Sequence, residues 1–157
     1  RVTEPARRHR AQLRALEQAG IAEAPDSDAD ELRALAALFE SAIALDPENL
    51  AANHQLYYLQ LGRLQFRLQL HNAALQSLDR ALALESLDPM ATHFHRAWAR
   101  VYRARIALAR GDRAAARREA DAALASKSPA LETPAAWPDA PGKPVSAADA
   151  LRALLTP

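Results

Sequence analysis

Apolar residues recur along most of this chain at intervals of three and four residues, the spacing of one face of an α-helix. Leu32, Leu35 and Phe39 show the pattern clearly, and few segments alternate in the way a strand does. Together with the capping residues described below, the pattern predicts six helices in antiparallel pairs, then a proline-rich stretch and a short seventh helix. We therefore expect an all-α fold of stacked helix pairs.

The first predicted pair is bounded by clear start and stop signals. A helix over about residues 5–19 ends at Gly20, because glycine adopts the left-handed conformation that closes many helices. Its partner starts after Asp28, where Glu31 follows three residues later and completes a capping box. The apolar spacing of this second helix ends near Leu45.

The next two pairs begin with the same two-residue signal, Asp46-Pro47 and Asp88-Pro89. An aspartate accepts hydrogen bonds from the free amides of a first helical turn, and proline is preset for the first helical position. The signals predict long helices over about residues 47–70 and 89–110.

Both long helices are expected to turn back tightly. Gly111 closes the second of them, and Asn72 and Asp112 are the predicted N-caps of the two returning helices. Short turns of this kind make the joined helices antiparallel neighbours.

Prolines dominate the segment that follows, and they deny a regular helix its hydrogen bonds. We expect an extended strap over residues 127–145, after a helical domain over residues 1–126. Ser146 and Asp149 then predict a short helix over residues 146–157 that packs on the body, because so short a helix is unstable alone.

One predicted pair carries an internal pattern of large and small residues. Its members are Tyr58, Leu61, Gly62 and Gln65 on the first helix and Ala74, Leu78 and Ala81 on the second. The spacing resembles the tetratricopeptide repeat, in which small residues lie where the two helices cross closest.

The neighbouring units match this pattern less well. Leu35 replaces a small residue in the preceding unit, and Arg100 and Arg103 replace large apolar residues in the following one. Ala42, Ala81 and Ala123 are 39 and 42 residues apart, against a repeat of about 34 residues in the family. We therefore expect lengthened, degenerate repeats over about residues 28–126.

The resemblance implies a non-enzymatic scaffold that binds a partner peptide or helix on its concave face. Polar and aromatic residues on the two long helices are the predicted partner-binding residues. They are Asn53, Gln60, Arg63, Phe66 and Arg67 on the first helix, and His95, Tyr102 and Arg105 on the second. The arginines would hold a carboxylate or peptide carbonyl groups. The alternative is an ordinary solvated face, and Trp98 fits either this line or the core.

Trp137 lies between two prolines of the strap, where a large aromatic side chain is costly unless a pocket receives it. We expect it to dock on the helices. It would either occupy the groove until a partner displaces it or cover the last repeat, since terminal repeats need a cap.

Charge is distributed unevenly. Residues 22–48 contain eight acidic side chains and one arginine, whereas residues 93–118 contain eight arginines and one aspartate. One face of the second long helix carries four arginines, Arg96, Arg100, Arg103 and Arg110. This face could meet nucleic acid, an anionic lipid surface or an acidic protein, or it could be a solvated or self-pairing face. A net charge of only +1 and the absence of a recognition motif argue against nucleic acid as a partner. Self-association through the two oppositely charged ends is an alternative.

Catalytic and metal-binding patterns are missing from the sequence. The chain has no cysteine and only four glycines, and His93 and His95 lie on different faces of the predicted helix. We expect no enzymatic activity and no cofactor. A second interpretation of function is a structural or sensory spacer within a larger regulator or a secretion or assembly protein.

No apolar run approaches the roughly 20 residues that span a bilayer, so a soluble protein is expected. The sequence begins with Arg1, so the removal of a signal peptide is one alternative, and the compartment could be cytoplasmic or periplasmic. The preference for arginine and alanine is typical of GC-rich bacterial coding.

Overall fold

The computed structural model describes residues 3–18, 20–22, 24–136 and 143–157. Within these residues it contains seven α-helices that pack against one another, and it confirms the all-α fold. The helices are α1 Glu4–Gln18, α2 Ala29–Ala44, α3 His54–Arg67, α4 His71–Ala83, α5 Pro89–Ala109, α6 Arg113–Ala125 and α7 Ala147–Leu155. None of the helices in this part of the chain is both long and apolar enough to cross a membrane.

Each helix packs against the next one along the chain, and the short turns within the pairs make α3 and α4, and α5 and α6, antiparallel. In addition, α3 contacts α5, and α5 contacts α7. The helices α3, α5 and α7 therefore form a row, and the face of this row is where the sequence places the binding residues.

Four of the predicted caps are present. In each, a side-chain oxygen accepts a backbone N–H of the first helical turn, which satisfies a donor that has no partner within the helix. The pairs are Asp28 with Glu31 at 2.8 Å, Asp88 with Met90 at 2.9 Å, Asp112 with Ala115 at 2.9 Å and Ser146 with Asp149 at 3.0 Å. Gly20 and Gly111 adopt the expected positive φ, at 68° and 80°.

The prediction that Asp46-Pro47 starts a helix is wrong, because α3 begins only at His54. The Asp46 carboxylate accepts the N–H groups of Leu50 and Ala51, both at 2.9 Å, and so closes a turn instead. Asn49 follows with a φ of 55°, a conformation that asparagine tolerates better than most residues. Its side-chain oxygen accepts the N–H of His54 at 3.1 Å, at the true start of the helix.

The prediction that Asn72 caps α4 is also wrong. The helix begins at His71, preceded by Leu70, whose N–H donates to Gln65 O at 2.8 Å in a tight turn. Helix α3 ends at Arg67, earlier than the predicted end near residue 70, so α4 also begins earlier and Asn72 falls within its first helical turn. Its side-chain oxygen accepts a hydrogen bond from Arg110, which joins the ends of two helix pairs.

The proline-rich strap is less extended than predicted. Pro129–Glu132 form a 3-10 helix that packs against α5 and α7, with Ala130 and Leu131 buried. A two-stranded antiparallel sheet follows, in which β1 Pro134–Ala135 pairs with β2 Val145–Ser146. Leu131 gives the segment an apolar anchor, and this outweighs the preference of its prolines for an open chain. The last helix packs on α5 and α6 through Leu151, which is fully buried.

Two apolar clusters form the core. One joins α1, α2 and α3, and the larger one extends from α3 to α7. At the closest crossing of α3 and α4, a Cβ on Gly62 would lie only 2.8 Å from Cγ of Leu78 and 3.3 Å from the carbonyl oxygen of Ala74. Gly62 is therefore required by the close approach of the two helices.

Candidate protein-binding face

The eight predicted partner-binding residues lie on α3 and α5 or just before them, but they are not equally accessible. Arg63 and Tyr102 are completely buried, and Gln60 is 7% exposed. The other five, Asn53, Phe66, Arg67, His95 and Arg105, are half-buried. Gln60, Arg63 and Tyr102 are covered by other parts of the chain, whereas the other five residues are partly open to solvent.

Arg63 and Arg67 bind main-chain carbonyl groups, but these groups belong to the connection between α1 and α2. Nη2 of Arg63 donates to Ala22 O at 3.1 Å, and Nη1 of Arg67 donates to the same oxygen at 2.8 Å. Arg67 also donates to Ala24 O at 2.7 Å and, less closely, to Ile21 O at 3.3 Å. Hydrogen bonds from a charged donor contribute about 1.5–3 kcal/mol each. The predicted chemistry of the two arginines is therefore present, with a ligand from the same chain.

The connection presents these carbonyls because it is folded into a compact turn. Ala24 N–H donates to Gly20 O at 2.8 Å, and the hydroxyl of Ser27 donates to Ile21 O at 2.7 Å. Ala22 is only 6% exposed and belongs to the apolar cluster of α1, α2 and α3. The turn is consequently held by apolar contact on one side and by the arginines on the other.

A second group of predicted residues meets where α3 passes α5. The ring centroids of Phe66 and Tyr102 are 6.2 Å apart, and the guanidinium carbon of Arg105 lies 5.5 Å from the centroid of Tyr102. Such a distance allows a cation–π attraction. Phe66 also lies 5.9 Å from the ring of His71. The half-buried Phe66 and Arg105 are the partly open members of this group.

His95 lies apart from both groups and takes part in a buried polar network. Its Nδ1 is 3.0 Å from Oε1 of Gln55, and the amide oxygen can only accept, so Nδ1 donates. Gln55 is fully buried, and its Nε2 donates to Leu84 O at 2.9 Å. The hydroxyl of Ser86 donates to the same Gln55 oxygen at 2.7 Å. Burial lowers the pKa of His95.

The network fastens the α4–α5 junction to α3, which is a structural role. Gln55 is not among the residues predicted from the sequence, because a glutamine is usually a surface residue. One signal was available: Gln55 lies four residues before Leu59, a core residue on the same helical face.

Asn53 is separate from the other predicted residues. It occupies the position before α3 and makes no side-chain cap, and it borders a cavity of about 50 Å³ between α1, α2 and α3. Asn53 therefore lies apart from the groups around Arg67 and Tyr102.

The arginine face predicted on α5 is neutralised within the chain. Arg103 pairs with Asp79 at 3.2 Å and with Glu119 at 3.0 Å, and Arg100 pairs with Glu119 at 3.1 Å. Arg96 lies 3.7 Å from Glu85. These partners come from α4, α6 and the junction between α4 and α5, so the alternative of internal pairing describes this face.

Two predictions concerned tryptophans. Trp98 is fully buried in the larger cluster and therefore belongs to the core. The prediction for Trp137 concerns a residue that lies outside the described part of the chain. Among the described residues, no group of three potential metal ligands converges.

Comparison of the chain with protein-family models, curated proteins and solved structures found no match. The resemblance to tetratricopeptide repeats stays a prediction, based on the residues of α3 and α4 described above.

Proposed function

We propose that this protein is a non-enzymatic interaction scaffold that binds a peptide or helix of another protein on the face of α3 and α5. The observation that carries the proposal is the pair of arginines on α3. Arg63 and Arg67 hold the main-chain carbonyls of a segment more than 40 residues away in sequence. This face thus has the chemistry to bind a polypeptide through the carbonyl groups of its backbone.

The group around Tyr102 adds a surface suited to a partner's side chains. Phe66 and Arg105 are half-buried, and aromatic and arginine side chains dominate the binding energy of many protein interfaces. Both residues are held in place by the buried ring of Tyr102, so little conformational freedom is lost when a partner binds.

The test is to identify a partner and to measure its dependence on this face. Proteins retained by the wild-type chain from a lysate of the source organism are compared with those retained by Phe66→Ala and by Arg105→Ala. A partner that requires the face is lost from both variants and is kept by Arg80→Ala, a control on the exposed side of α4. Affinity for the purified partner should fall by about tenfold or more in each variant, as for interface anchors. If no protein distinguishes the two variants from the control, the proposal fails.

A second candidate function, a self-associating structural or spacer domain, is favoured by one cleft. The cleft lies beside the start of α6 and the end of α7 and has a volume of about 420 Å³. Leu108 and Leu155 line it together with Arg113 and Arg117, which are exposed and make no ion pair with any described residue. The acidic segment over residues 22–48 of another copy is a complementary partner for these charges.

Sedimentation velocity distinguishes this second candidate. Self-association of this kind should be strong at about 0.01 M salt and weak at about 1 M, where the Debye length falls from about 30 to about 3 Å. It should also be abolished by Arg113→Glu with Arg117→Glu, and Arg80→Glu should leave it intact. A monomer at both salt concentrations would exclude it.

A further inference from the structure

The turn bound by the two arginines has the form of a helix end. Gly20 O accepts the N–H of Ala24 four residues later, which is a single helical turn. The carbonyl groups of Ile21, Ala22 and Ala24 point from this turn towards α3 and meet the guanidinium groups there. Carbonyls at the end of a helical turn carry partial negative charge and attract cations.

The spacing of the arginines matches this ligand. Arg63 and Arg67 are four residues apart on α3, so they lie on the same helical face about one turn apart. Both donate to the oxygen of Ala22, and Arg67 extends to Ala24. Two planar donors with several N–H groups each can bind the diverging carbonyls of one turn, which a lysine could not do.

The contact also selects a small side chain. Ala22 is 6% exposed and packs into the cluster that contains Leu61 and Leu64 of α3. A longer side chain at this position would need space that the cluster does not provide. The bound segment is therefore recognised by its carbonyls and by one alanine-sized residue.

Part of this segment faces solvent. Ile21 and Ala24 are half-buried, and Pro25 and Asp26 beyond them are exposed. Arg63 below it is completely buried. A charged arginine that is always buried carries a large desolvation cost. If the covering segment dissociates, the guanidinium group of Arg63 is hydrated while the site is open.

We propose that Arg63 and Arg67 form a binding site for the carbonyl end of a helical turn with an alanine-sized residue, and that the carbonyl groups of Ile21, Ala22 and Ala24 are its internal ligand, which the helix end of a partner replaces. The proposal rests on the interaction function proposed above and names the ligand of that face. The internal ligand occupies the site for most of the time. The apparent affinity for a partner is therefore the intrinsic affinity multiplied by the fraction of time that the site is open.

The test supplies the segment as a separate molecule. The probe is a synthetic peptide with the sequence of residues 13–27, titrated up to about 1 mM, the order of the effective concentration of a tethered segment. Binding is followed by the Nε–Hε signals of the arginine side chains in NMR spectra. The receptor is the full chain that carries Ala22→Phe. The phenylalanine side chain is too large for this position, and the substitution leaves the sequence of α3 unchanged.

The peptide should bind the Ala22→Phe chain at least about tenfold more tightly than the wild-type chain, because the site is open for a larger fraction of the time. Adding Arg67→Ala should abolish this binding, whereas adding Arg33→Ala, on the exposed side of α2, should not. Equal binding to the wild-type and Ala22→Phe chains overturns the proposal.

Gly20→Val is a second variant that opens the turn by a different cause, since its φ of 68° is strained for a β-branched residue. If both variants lose cooperative unfolding, the segment is an integral part of the core and the proposal is overturned. The test is independent of partner capture: the peptide can bind when no partner is found, and a partner can depend on Phe66 and Arg105 when the peptide does not bind.

Discussion

Gly62 of α3 lies so close to Leu78 of α4 that a methyl group on the glycine would be 2.8 Å from two atoms of the leucine side chain. Leu78 is completely buried, and side chains in a close-packed interior leave few voids. The two residues thus set the distance between the best-packed pair of helices in the molecule.

In Gly62→Ala the overpacking costs about 1–3 kcal/mol, and alanine offsets about 1 kcal/mol of this because it favours a helix interior. The variant should therefore lower the free energy of unfolding by up to about 2 kcal/mol. Urea denaturation measures the free energy of unfolding. In the double variant with Leu78→Ala the effects should be non-additive by at least about 0.5 kcal/mol, since the truncated leucine leaves room for the new methyl group. Strict additivity would show that the clash is relieved elsewhere.

Gln55→Ala should lower the free energy of unfolding by about 2–3 kcal/mol. The variant removes the closer of two donors to Leu84 O and the acceptor used by Ser86 and His95, and the loss of hydrogen bonds to buried groups is costly. Gln76→Ala, on the exposed side of α4, is the matched control and should change stability by less than about 0.5 kcal/mol. Similar effects of the two variants would contradict a structural role for the network.

The pH dependence of stability should contain a contribution from His95. Burial lowers its pKa in the folded protein below the usual value of about 6.5, so between these two values the unfolded chain binds more protons. This contribution is complete above about pH 6.5 and is lost as the pH falls towards the folded pKa. The stability of His95→Gln, which keeps a side-chain donor, should therefore decline less than that of the wild type between about pH 7 and pH 5. Parallel curves would show that the burial of His95 has no such effect.

Asp46, at the start of the α2–α3 connection, should contribute a stabilisation that is lost in acid. Hydrogen bonds from the N–H groups of Ala51 and Leu50 hold its pKa below the ordinary value. The stabilisation is present above the unfolded pKa of about 3.9 and disappears as the pH falls through the lowered folded value. The stability difference between the wild type and Asp46→Ala should thus shrink in strong acid, as urea denaturation at successive pH values can establish.

The fate of the two Asp-Pro signals shows how far local sequence determines this fold. Asp88-Pro89 starts a helix and Asp46-Pro47 does not, although both have the same capping chemistry. The difference comes from the residues after them: Asn49 adopts a positive φ, so the amides that Asp46 binds belong to a turn. A cap residue indicates that free amides follow, but it does not state whether they belong to a helix.

The sequence indicates that the arginines of the candidate face suit carbonyl groups. It does not indicate which groups they bind in the folded chain. The periodicity of α3 places Arg63 and Arg67 on one side, and arginines in a groove are suited to carbonyl groups. Their ligand lies 41 residues or more away, in a connection whose sequence has no periodic signal. Likewise, the acidic partners of Arg100 and Arg103 come from α4 and α6, and only the packing of these helices reveals them.

The network of Gln55 has a mechanical consequence. One buried side chain fastens α3 to the carbonyl of Leu84, to Ser86 and to His95 of α5, so the joint between successive helix pairs is locked from within. Such a connection makes bending between the two helix pairs costly, because bending would break these buried hydrogen bonds. The distance between α3 and α5 is then fixed within the chain itself, so the face that we propose for a partner has a fixed width.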